Sequence, residues 1–100
     1  MGRYDVYSNP GGAGGYLLDV QADLLDELNT RVVVPLLPPA AAPLPARRLN
    51  PIFAIDAEPH VMVTQFIAAV PLAVLGRPVA SLLERDTEIA NALDLLLSGV

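Results

Sequence analysis

The spacing of apolar residues changes period once along this chain, and that change limits the fold more than any other feature. Ile89, Ala92, Leu93, Leu96 and Leu97 recur at helical spacing. Everything before them falls into short apolar runs cut by glycine and proline, the pattern of strands. Residues 4–7 mix aromatic and β-branched side chains and predict a first strand. Residues 9–15, Asn-Pro-Gly-Gly-Ala-Gly-Gly, must be a loop, because glycine favours turns and proline cannot continue a ladder. Residues 16–21 read as the return strand. Residues 31–37 hold three consecutive valines and predict a strand buried on both faces, with Pro35 demanding an edge or a bulge. Residues 37–48 have no period and predict an irregular excursion or a short edge element.

Residues 52–55 and 60–68 read as two further strands around a turn at 56–59, and residues 70–75 as a last short one. Ser81 and Glu84 have the spacing of a capping box, which predicts the helix start. Glu84, Glu88, Asn91 and Asp94 would then line its solvated face. The expected fold is mainly β with one C-terminal α-helix, in a single domain over residues 1–100: a barrel of antiparallel strands with the helix capping one side.

Composition agrees with such a core and narrows its use. Hydrophobic residues are 53% of the chain and charged residues 17%, enough apolar content to fill one core. The net charge of -5 repels phosphate backbones, so general nucleic-acid binding is disfavoured. There is no cysteine, hence no disulfide framework, which is compatible with the cytoplasm. The uncharged stretches 32–46 and 61–76 are too short to span a bilayer, and the first residues lack the apolar run of a leader, so no membrane association is expected.

No catalytic pattern stands out. His60 is the only histidine and shares a strand face with Met62 and Thr64, which predicts a structural role. Ser8, Ser81 and Ser98 are possible nucleophiles, but none sits in a Gly-x-Ser-x-Gly elbow. Asp19, Asp23 and Asp26 could gather a cation, yet their spacing is not that of a calcium loop, and a solvated turn is the expectation. The glycines of 11–15 precede a strand rather than a helix, unlike a phosphate loop. The chain is expected to act by binding, not as an enzyme, with no cofactor and no metal.

Several blocks stand out along the chain's length: Tyr4-Asp5-Val6-Tyr7 at the start, then Asp19-Val20-Gln21-Ala22-Asp23-Leu24-Leu25-Asp26, then Arg31 through Pro35-Leu36. Val70-Pro71, Leu75-Gly76, Val79-Ala80, Arg85 and Ile89 follow. In these blocks and their spacing, nearly end to end, the chain resembles the CcdB toxins. The resemblance implies a homodimer with an SH3-like barrel, a small extra sheet and a C-terminal helix. It implies binding to the A subunit of DNA gyrase and trapping of gyrase on cleaved DNA. It further implies neutralisation by a CcdA-like antitoxin, with operator DNA bound only through the toxin–antitoxin complex to repress the operon. By position, the target contact would fall on Leu24, Leu25, Asp94, Leu96, Leu97, Ser98, Gly99 and Val100. The antitoxin-facing regions would be the 10–15 loop (Pro10, Gly11, Gly12, Gly14) and the 40–46 stretch (Ala40, Pro43, Ala46). One departure bears on the target. A well-known plasmid-borne member ends in Trp-Gly-Ile, where this chain ends Ser98-Gly99-Val100 and has no Trp. An interface Trp contributes about 2 kcal/mol or more when it is a hot spot. Two other readings follow: a family member that binds antitoxin but poisons gyrase little or not at all, and an endoribonuclease, since the related MazF toxins share this fold.

Overall fold

The computed structural model describes residues 2–11 and 14–99. Among the described residues, seven strands form one antiparallel sheet: β1 Asp5–Ser8, β2 Tyr16–Asp19, β3 Thr30–Leu37, β4 Ile52–Ile55, β5 Glu58–Met62, β6 Ala68–Pro71 and β7 Ala80–Ser81. The helix α1, Asp86–Ser98, follows them. Strand β3 is long enough to serve two partners on its outer side. Its first half pairs with β6 and its last two residues with β5, while β2 takes the opposite side. β1 and β7 continue beyond β2. The order β6-β3-β2-β1-β7 curls into a nearly closed SH3-like barrel, and the β4–β5 hairpin is the small extra sheet, joined through Leu36 and Leu37.

Alternation along β1–β3 explains why the valine run needs no polar face. Val6, Leu18, Val34 and Leu36 point to the main core, where Phe53, Met62 and the Ile89, Ala92 and Leu93 face of α1 meet them. Tyr7, Leu17 and Val33 point the other way and are covered by Leu75. Burying a side chain such as Ile89 contributes about 1.5–3 kcal/mol, so the helix is held by packing more than by propensity.

Several sequence expectations are corrected. Pro35 is neither at an edge nor in a bulge but in the central strand, opposite Leu17. Its carbonyl accepts the Val63 N–H at 2.9 Å, so its missing donor faces the gap where β3 changes partner from β6 to β5. Residues 60–68 are not one strand: a 3-10 turn at Thr64–Phe66 separates β5 from β6, and the Thr64 hydroxyl donates to the Leu49 carbonyl there. Residues 70–75 run from the end of β6 into a 3-10 turn at Leu72–Val74, which lays Leu75 over the second core; the last strand is β7. The capping box does not form. Ser81 Oγ accepts the Leu83 N–H at 3.2 Å, the Leu82 N–H donates to Tyr4, and α1 begins only after a 3-10 turn at Leu83–Arg85. Leu97, expected on the buried face, is 73% exposed because the last helical turn outruns the core.

The turn between β4 and β5 is two residues long, not four, since Ile55 pairs with Glu58. Asp56 and Ala57 both have positive φ, 54° and 65°, the type I′ geometry that suits a hairpin twist but favours glycine at the second position. Ala57→Gly is therefore expected to raise stability by ~0.5–1 kcal/mol, the left-handed strain relieved outweighing the added chain entropy. An unchanged or lower urea midpoint would show that the turn carries no such strain.

Candidate functional site

Leu24 is 92% exposed, an unusual position for a leucine flanked by carboxylates. The 3-10 turn Asp23–Leu25 that carries it is tied down from below. The Gln21 amide donates to the Leu25 carbonyl at 3.0 Å and accepts the Val32 N–H at 3.1 Å. The Arg31 guanidinium donates to the Asp26 carbonyl at 3.0 Å and to its carboxylate at 2.5 Å, and reaches the Leu25 carbonyl at 3.4 Å. Asp23 accepts the Arg3 N–H at 2.8 Å. Leu24 and the half-exposed Leu25 are thus presented on a fixed turn.

Arg31 also answers for Asp19. The two side chains are each 3% exposed and lie 3.6 Å apart on the second face of the sheet. The expectation of a solvated carboxylate turn fails here: Asp19 is buried, and only Asp23 and Asp26 face solvent. Burial pushes the Asp19 carboxyl above the usual range, against the pull of the Gln21 N–H and of Arg31. Burial likewise raises the Tyr7 hydroxyl on the same face. Among the described residues no cluster of three His, Cys, Asp or Glu side chains could hold a metal ion. In the sequence, Arg31 and Gln21 stand only within the blocks shared with the family, with no role attached. The available signal was a lone cation opening a valine run, downstream of three aspartates.

The other residues expected at the target contact lie at the end of α1. Asp94, Leu97, Ser98 and Gly99 are exposed and Leu96 is half-buried. Gly99 closes the helix with φ 73°, its N–H donating to Leu95 at 3.0 Å. Val100 lies outside the described residues. Within one chain the Leu24 turn shares no substantial packing with α1, whose buried face meets the main core.

Of the antitoxin-facing residues, Pro10, Gly11, Gly14, Ala40, Pro43 and Ala46 are all exposed, and Gly12 lies outside the described residues. Gly15 shows why the loop ends where it does: with φ 78°, a Cβ there would meet the Leu36 carbonyl oxygen at 2.5 Å. Ala40 lies in a 3-10 turn, Pro39–Ala41, and the Ala46 N–H donates to Asn50, which is itself held by Met62 and Gln65. A cleft of about 350 Å³ is lined by the β4–β5 hairpin and by Tyr16, Pro38 and Pro39, which adjoin the two stretches in sequence. His60 forms part of its wall, stacked edge-on against Tyr16 with ring centroids 5.0 Å apart. Among the described residues, no hydrogen bond links His60 to Ser8, Ser81 or Ser98.

The family model described as CcdB protein matches residues 3–99. Among solved structures, the chain is similar to an endoribonuclease in complex with its cognate antitoxin from mycobacterial species. The TM-score is 0.76 and the identity 17%, over 97% of this chain and 94% of that one. At that identity the likeness speaks for the fold.

Proposed function

The chain belongs to the CcdB family, and from that premise we propose that it is the toxin of a toxin–antitoxin pair, a cytoplasmic homodimer that binds the A subunit of DNA gyrase. The family match over residues 3–99 carries the reading. It is supported by the exposure of apolar residues at the family's target positions, Leu24 and Leu97 above all. Binding is achieved without catalysis: two protomers place their helix ends and Leu24 turns side by side, and the combined surface grips gyrase with DNA cleaved. Dimerisation also covers part of the apolar surface left by Ile52 and Phe66, each 50% exposed. An antitoxin of the CcdA type neutralises the toxin, and operator DNA is engaged only by that complex, in keeping with a net charge of -5.

Ser98 favours a second reading within the family. It stands where a large aromatic contact would otherwise be, so gyrase affinity is reduced and antitoxin binding is what remains. The endoribonuclease reading has in its favour only the description of the structural neighbour. It also needs cationic groups around a scissile phosphate, and the six arginines are scattered along the chain. Purified protein incubated with a gyrase A-subunit fragment, and separately with RNA, distinguishes the three. The expected result is saturable binding to the fragment with the RNA intact. RNA cleavage would replace this reading with the third; no binding to gyrase from the source organism would leave the second.

A further inference from the structure

The cleft lined by Tyr16, Pro38, Pro39 and the β4–β5 hairpin has a chemistry of its own. Asp56, Glu58, Tyr16 and His60 are among its lining residues, and no arginine is. His60 is only 7% exposed. Its Nδ1 lies 2.9 Å from the Glu58 carbonyl, which can only accept, so Nδ1 carries the hydrogen. No hydrogen bond among the described residues engages Nε2. The Asp56 and Glu58 carboxylates make no ion pair among the described residues. The remaining wall is flat and apolar, formed by the Tyr16 ring with Pro38 and Pro39.

We propose that this cleft is a binding site for an arginine side chain carried on a partner peptide, the guanidinium seated between the carboxylates and His60 and its faces against Tyr16 and the prolines. The lining combines two carboxylate residues and a histidine with the apolar surface of Tyr16 and the prolines. A guanidinium has donors in a plane, weak hydration and faces that stack, whereas an ammonium is a strongly hydrated point charge. Carboxylate pairing with such a fork gives the stronger, directional hydrogen bonds. The peptide that brings the arginine is the antitoxin segment, because Tyr16 directly follows one antitoxin-facing stretch and Pro38–Pro39 adjoin the other. That identification rests on the reading above, while the guanidinium site does not.

The single histidine makes the test direct. Nuclear magnetic resonance titration of the full chain with N-acetyl-L-arginine methylamide should give a saturable shift of the His60 ring signals. The lysine analogue should bind several-fold more weakly and the glutamate analogue should leave the ring unmoved. In the double variant Asp56→Asn/Glu58→Gln the arginine affinity should fall by at least about tenfold. Its unfolding midpoint should hold, since both side chains are exposed. No saturable shift, an equal response to lysine, or full affinity in the double variant would overturn the site. Neither gyrase nor antitoxin enters this experiment, so its failure would leave the gyrase reading standing, and loss of that reading would leave the site standing.

Discussion

Arg31→Ala should lose ~3–5 kcal/mol of stability, the cost of leaving a buried charge without its partner. A domain this size has about 5–15 kcal/mol in total, so the variant should stand near its unfolding threshold at neutral pH. The charge left behind is Asp19, whose side chain is 3% exposed. Asp26, the other carboxylate on Arg31, is 57% exposed, and Asp26→Ala should cost less than ~1 kcal/mol because solvent already screens that pair. Acid should narrow the gap between Arg31→Ala and the native chain. Burial already holds the Asp19 carboxyl above its ordinary range, and without Arg31 it rises further. A carboxyl raised in the folded state binds its proton more readily there than in the unfolded chain. Its destabilising effect is therefore full above the folded-state pKa and is relieved as pH falls through it. Urea midpoints of both proteins near neutrality and in mild acid should converge on acidification. A constant or widening difference would show that Asp19 is not the source of the loss.

The same pair shows where the sequence stops being legible. The strands around Val6, Leu18 and Val34 and the helix around Ile89, Ala92 and Leu93 follow from local period, which is why the barrel and its cap are readable in order. Asp19 looks like part of a hydrophilic turn because its partner is twelve positions away in sequence; only the register of β2 on β3 brings Arg31 beside it. The break at Thr64 is unreadable for a similar reason. Residues 61–63 are apolar and continuous, and the chain turns because Thr64 finds the carbonyl of Leu49. Ser81 and Glu84 have the right spacing for a cap, but pairing of Ala80 and Ser81 with β1 takes the backbone first and delays the helix to Asp86. As for the site, exposure of Leu24 and the helix end came from family position rather than from pattern, and the bracket of Gln21 and Arg31 beneath the turn came from neither.

Leu24→Asp should weaken binding to the gyrase A-subunit fragment by at least about thirtyfold, the scale of one hot-spot side chain near 2 kcal/mol. The effect is large because the turn is already rigid: little ordering entropy is spent on binding, so the apolar contact is realised nearly in full. The free protein should barely notice, since a side chain 92% exposed contributes almost nothing to the core. Calorimetric affinity and the unfolding midpoint, taken on the same preparation, separate the two effects. Loss of stability in step with affinity would mean the turn is structural and not a contact.

If the protein holds gyrase on broken DNA, as proposed, the break itself is what to measure. Supercoiled plasmid is incubated with gyrase from the source organism, ATP and the purified chain, then quenched with detergent and protease. Linear DNA should accumulate in proportion to the protein added, and Leu24→Asp should abolish the accumulation. Plasmid that stays fully supercoiled, with no linear product at saturating protein, would contradict the proposal.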